Sequence, residues 1–292
     1  MELRALKAFV EVVRENGFAR AARRLHVTQS TVSKAVKQLE DELNFQLLDR
    51  AGRQCRLTAP GRLVFQKAEA ILAQGEDLRA ELAEMRGLRK DVLRLGLPLI
   101  GSSILFARWF AIYRRRFPRV EIQLLEHGSS HLEKLLLAGE LDLAASLLPV
   151  AADFAWQEVR REPIDVLLPA GHALANRRQL AFKELAEEPM ILYSEGFALN
   201  PIIAGACRKN GFEPRIVAES GQVDFVMELV AANMGIAFVP RMIAERRNHP
   251  QFRRIPVGQP PIYWHMALIW RRNGYQSEAA KAWLSLTGAL AA

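Results

Sequence analysis

At 292 residues, half of them hydrophobic and a quarter charged, the chain is long enough for two or more folded domains and too apolar to be disordered. Its net charge of +8 is uneven: residues 1 to 67 carry 13 basic and 7 acidic side chains (+6), and the other 225 carry 27 and 25 (+2). That placement suits a phosphate-bearing partner at the N-terminal end. The two cysteines, Cys55 and Cys207, exclude a disulfide framework and a Cys-rich metal site. The longest uncharged run, 255 to 270, is interrupted by Pro256, Pro260 and Pro261 and is too short to span a bilayer. The opening MELRALKAFVEVVRENG has charges every few residues and no signal-peptide core, so a cytoplasmic location is expected.

Leu3, Leu6, Val10 and Val13 predict a helix over Leu3 to Arg14, ended by Asn16 and Gly17. A second, alanine-rich helix follows over Ala19 to Leu25, and His26 and Val27 turn the chain without a glycine. In the third helix Val32, Ala35, Val36, Leu39 and Leu43 form an apolar stripe, with Thr28 placed to cap it. Its opposite face presents Gln29, Ser30, Ser33, Lys34 and Lys37 and no acid before Glu40. Amides, hydroxyls and cations can read base edges in a major groove. An ordinary solvated face has the same inventory, so the surroundings must decide.

The apolar residues Phe45, Leu47 and Leu48, then DRAGRQCRLT, predict a hairpin decorated by Arg50, Arg53 and Arg56. Beside a polar-faced helix it would act as a wing gripping phosphate or entering a minor groove. Thr58 and Pro60 start a long helix running to about Arg86, whose Val64, Ala68, Ile71, Gly75, Leu78, Leu82 and Met85 make a coiled-coil seam with Gly75 as a defect. At roughly 40 Å it is too long to be covered by the small head alone, which suits a linker and dimerisation helix. From Val92 onward strands alternate with helices, indicating parallel βαβ units: VLRLGL, VEIQLLE, LDLAASLL, IDVLLP, PMILYS, RIVAES, GIAFVP and YWHMALIW are the strands. Helices are expected from Ser102 or Ser103 to Arg116, over HLEKLLLAGE, and around 200 to 210, 223 to 232 and 277 to 290.

The head GFARAARRLHVTQSTVSKAVKQLEDELNFQLLDRAGRQCRLTAPG, the linker helix, and the segments GLPLIGSS, LLLAGELDLAASLLP and VAANMGIAFVP together resemble the LysR-type bacterial transcriptional regulators across the whole chain. The resemblance implies an α/β protein: a winged helix-turn-helix over 1 to 58, a linker helix over 59 to 89 and an effector domain over 90 to 292. That domain would divide like periplasmic binding proteins into subdomain I (90 to 161 and 267 to 292) and subdomain II (162 to 266), with the ligand between them. Gln29, Ser30, Ser33 and Lys34 match the family's base-reading positions and Arg53 its wing tip, with Thr28, Thr31, Lys37 and Arg50 completing the DNA-facing set. Many relatives have Pro where Ser30 stands and Arg where Lys34 stands. Lysine lacks the guanidinium fork, which loosens base discrimination there. The implied partners are double-stranded DNA, a small-molecule effector, further copies in a homodimer or homotetramer, and RNA polymerase at target promoters; no cofactor and no membrane is expected.

For the effector, the strand leading into GSS at a helix start favours a carboxylate or similar anion, although Ser102 or Ser103 could equally be a simple cap. Ser102 takes the place a phosphate loop reserves for lysine, which argues against nucleotide binding. The family alignment places Gly128, Ser129, Leu147, Leu148, Pro149, Phe197 and Asn200 around the cleft with Ser102 and Ser103, and a small organic acid fits their chemistry. His127 and His131 are four apart, but Gly128 is expected to end a strand between them, so they need not share a face for a metal. No nucleophile elbow or zinc-protease motif occurs, so no enzyme is expected. A secreted solute-binding protein would share the two lobes but not the basic head.

Overall fold

The computed structural model describes residues 1–49, 55–85, 92–247 and 250–291. These form two compact units, one ending in the long helix and one beginning at Val92.

In the N-terminal unit, α1 (Leu3–Arg14), α2 (Phe18–Arg24) and α3 (Gln29–Leu43) pack around Leu6, Phe9, Val10, Ala21, Val32, Val36 and Leu39. The buried face of α1 is rotated from the expected stripe: Phe9 and Val12 are fully buried, whereas Leu3 is 48% exposed. His26 takes a left-handed φ of 54°, doing at the turn what a glycine would otherwise do. Strands β1 (Leu48–Asp49) and β2 (Arg56–Leu57) pair antiparallel, giving the base of the expected hairpin.

Two contacts fasten that hairpin. Glu40 Oε1 accepts from Leu47 N at 2.8 Å and Leu48 N at 3.2 Å, so the end of α3 grips the first strand. At the start of α4 (Ala59–Met85), Thr58 Oγ1 accepts from Gly61 N at 3.0 Å while donating to Gln46 O at 2.7 Å. Gly61 is obligatory there, because a Cβ would stand 2.0 Å from Leu47 O. Along α4 the seam divides in function. Val64, Ala68 and Ile71 pack on the head, whereas Leu78, Leu82 and Met85 are exposed, and the helix continues through Gly75.

The C-terminal unit is one nine-stranded sheet flanked by helices. Its elements run β3 (Val92–Leu97), α5 (Ser102–Leu105), α6 (Ala107–Arg116), β4 (Glu121–Glu126), α7 (Ser129–Leu137), β5 (Leu143–Leu147), β6 (Phe154–Pro169), β7 (Pro189–Tyr193), α8 (Leu199–Lys209), β8 (Arg215–Ser220), α9 (Val223–Ala231), β9 (Ile236–Pro240), α10 (Arg241–Arg246), β10 (Phe252–Pro256), β11 (Tyr263–Arg271) and α11 (Glu278–Ala291). Strand order is β4-β3-β5-β11-β6-β9-β7-β8, with β10 added on β6.

The expectation of parallel βαβ units holds for β3 with β4 and β5, and for β7 with β8 and β9. It fails in the middle of the sheet, where β11 runs antiparallel to β5 and β6, and β6 antiparallel to β9 and β10. The 16-residue β6 joins two lobes: Phe154 to Pro163 pair with β11, and Ile164 to Pro169 pair with β9 and β10. One buried carboxylate braces the second lobe. Asp165, fully buried on β6, accepts from Arg241 Nε at 3.0 Å and Nη2 at 3.1 Å on α10, and from Arg254 Nη1 at 2.6 Å on β10.

Candidate DNA-reading helix and effector cleft

The exposed face of α3 emerges from how its other face is fixed. With Val32, Val36 and Leu39 buried, Gln29, Ser30, Lys34 and Lys37 are left in solvent, and Ser33 is half-buried. Thr28 Oγ1 accepts from Thr31 N at 3.2 Å, as a cap should, and lies 2.9 Å from Ser30 Oγ and 2.8 Å from Thr31 Oγ1. The three hydroxyls at the helix tip are thus ordered by one another. The lysine side chains form no ion pair among the described residues. Arg50, expected on the hairpin, and Arg53, expected at its wing tip, lie outside the described residues.

In the C-terminal unit, the residues expected to line the cleft divide into three groups. Gly128 and Ser129 sit where the lobes touch. Ser130 N donates to Gly196 O at 3.3 Å, and a Cβ on Gly128 would stand 2.9 Å from that same oxygen. Only glycine allows this approach, and it closes the lobes there around buried Ser129 and Phe197. A second group is structural. Asn200 Oδ1 accepts from Tyr193 N at 3.1 Å and its Nδ2 donates to Tyr193 O at 2.6 Å, locking α8 to the end of β7. Leu147 belongs to the core and Leu148 N donates to His265 O at 2.9 Å, while Pro149 is exposed.

Ser102 and Ser103 form the third group, and they part company. The expected helix from here to Arg116 is broken at Phe106, whose ring is buried edge-on against Trp109. That leaves α5 as a four-residue turn, too short to act as a dipole-bearing anion site. Ser102 is buried and its hydroxyl proton is engaged by Pro98 O. Ser103 is exposed and opens on a cavity of about 590 Å³ between the lobes. Leu99, Gly101, Ser103 and Ile104 form one wall; Gly221 to Asp224 at the head of α9, and Ile243, Arg246 and Arg247 of α10 and its end, form the other. Gln222, Asp224, Arg246 and Arg247 gave no signal in the sequence, where charged residues near helix ends look merely solvated.

Gly128 lies between β4 and α7, so His127 is not on the helix that carries His131, but their rings meet, tilted at 40° with centroids 4.1 Å apart. His127 Nδ1 accepts from Gly128 N at 2.8 Å, and no cluster of three metal-ligating side chains occurs among the described residues. Burial, then His127 and Lys134, hold the His131 imidazole below its ordinary value against the opposing pull of Glu140. Cys207 is fully buried on α8 and burial pushes its thiol up to about 11, which leaves it almost wholly protonated and unreactive at neutral pH.

A helix-turn-helix head whose Thr28-capped third helix exposes a polar face, together with a C-terminal unit of two lobes around a cavity, is the architecture of a ligand-responsive DNA-binding regulator. Residues 3–62 match the bacterial regulatory helix-turn-helix of the lysR family, and residues 86–291 match the LysR substrate binding domain. The chain is 36% identical over 98% of its length to the transcriptional regulator YwbI of Bacillus subtilis, covering 96% of that protein, and 33% identical over 82% of its length to AlsR of the same organism, covering 80% of it. A full-length OxyR variant from Pseudomonas aeruginosa superposes with a TM-score of 0.68 at 27% identity, over 98% of this chain and 94% of that one. The chain belongs to the LysR family of transcriptional regulators.

Proposed function

We propose that this regulator reads its operator through Gln29, Ser30, Ser33 and Lys34, steadied by Thr28, Thr31 and Lys37 and by phosphate contacts from Arg50 and Arg53. It responds to a small organic acid held between subdomains I and II. The observation that carries the reading is the exposed face of α3, free of acids from Gln29 to Gln38 and set by burial of Val32, Val36 and Leu39 on the other side. Two copies would pair through the second half of α4, where Leu78, Leu82 and Met85 are exposed, placing two heads in successive major-groove half-sites as a dimer or a dimer of dimers. The setting is the cytoplasm, and the response is delivered to RNA polymerase at the bound promoter. Effector binding alters transcription only if one arrangement of the lobes binds it more tightly than the other.

The test is operator selection from a random duplex library, followed by titration of the selected and a scrambled duplex. Lys34→Ala should lose about 1–3 kcal/mol of preference for the selected duplex while retaining most affinity for the scrambled one. Equal losses on both would remove Lys34 from base reading.

A further inference from the structure

The cavity beside Ser103 has a charge inventory that selects among anions, given the reading above that the effector occupies this cleft. Leu99, Ile104, Val223 and Ile243 supply apolar wall, and the charged lining residues are Asp224, Arg246 and Arg247. Arg247 is already engaged, its guanidinium Nη1 paired with Asp224 Oδ1. The Arg246 side chain is exposed and makes no ion pair or hydrogen bond among the described residues, and the side chains of Ser103 and Gln222 likewise have no partner there. Two guanidiniums against one carboxylate leave a single unit of positive charge facing an apolar-walled space of about 590 Å³. Pockets of this size hold drug-sized or smaller molecules, with a few polar groups fixing orientation.

We propose that Arg246 is the anion-recognising residue of this cleft, and that the ligand class is a monocarboxylate with an apolar tail. The planar guanidinium meets a carboxylate with two parallel hydrogen bonds, and Ser103 and Gln222 lie within the same lining to serve the remaining oxygen lone pairs. The tail lies against Leu99, Ile104 and Ile243, removing apolar surface from water. A dianion is disfavoured because its second charge finds Arg247 committed and Asp224 repulsive. Asp224 thereby sets the charge of the ligand.

The experiment uses the full-length protein and three probes of matched chain length, hexanoate, hexanamide and adipate, titrated by calorimetry. Hexanoate should bind at least about tenfold more tightly than hexanamide, since only the acid makes a charge-assisted pair. Arg246→Gln should erase that difference, and Asp224→Asn, by freeing Arg247, should raise affinity for adipate more than for hexanoate. Equal binding of hexanoate and hexanamide, no hexanoate binding up to about 10 mM, or an unchanged preference in Arg246→Gln would overturn the assignment. Ile104→Trp, which pushes an indole ring into the space beside the apolar wall, should weaken binding of both hexanoate and hexanamide. Undiminished hexanoate binding in that variant would place the ligand elsewhere and refute the cleft reading itself. Thermal midpoints of each variant within a few degrees of the parent establish that the lobes are folded.

Discussion

Replacing Asp165 with Asn tests whether the second lobe is braced by its buried carboxylate. The side chain is fully enclosed and receives three hydrogen bonds from two guanidiniums, at 2.6 to 3.1 Å. Hydrogen bonds to a charged group contribute about 1.5–3 kcal/mol each, and breaking a buried pair costs about 3–5 kcal/mol. Arg241 and Arg254 are themselves 35% and 32% exposed, so solvent recovers part of the loss and the lower end applies. Asn is isosteric and retains one acceptor, but its amide N–H groups face guanidinium donors. We expect a loss of about 3 kcal/mol, lowering the melting of the C-terminal unit by about 6–12 °C. Because α10 carries Ile243 and Arg246, hexanoate affinity should fall as well. Calorimetry of the full chain measures the melting, and Arg241→Met in both backgrounds gives the coupling. A loss below about 1 kcal/mol would show that desolvation of the carboxylate cancels its bonds, and the brace would be refuted.

Thr28→Ala should cost about 1 kcal/mol through loss of the cap on α3, read as a lower urea midpoint of the head. Gly61→Ala should cost more, since its Cβ would overlap Leu47 O at 2.0 Å and the base of the wing must move; operator affinity should drop with stability. Gly128→Val should part the lobes at Gly196, which small-angle scattering would register as a larger radius of gyration of the full chain. For Cys207, the folded thiol titrates near 11 against an ordinary 9.0, so burial of the neutral form stabilises the fold fully below pH 9 and this contribution is lost as pH rises toward 11. Cys207→Val should flatten that part of the stability profile; an identical slope would assign it to other groups.

The parts of the fold legible in the chain are those where one local period decides burial. Thr28, the stripe of α3 and the start of α4 at Thr58 follow from spacing and capping chemistry, and the structure places them as the pattern requires. The first half of β6 was missed because Glu158, Arg160, Arg161 and Glu162 break any alternation, and the segment is a strand only because β11 supplies its partners. Strand β10, with Arg253 and Arg254, and the six-residue α10 were missed for the same reason: both are too short or too charged to signal alone, and both are held by Asp165.

By itself the sequence determined the family, the polar exposed face of α3 and the order of the parts, since these rest on local periods and on residue types whose chemistry does not depend on distant neighbours. Only the tertiary structure decided which of two adjacent serines is exposed, that Gly128 closes the lobes, and that the Arg246 side chain, unpaired among the described residues, stands beside a cavity while Arg247 is spent on Asp224. Those outcomes depend on which segments, far apart in the chain, share a wall. No local pattern encodes a distance between residues 103 and 246.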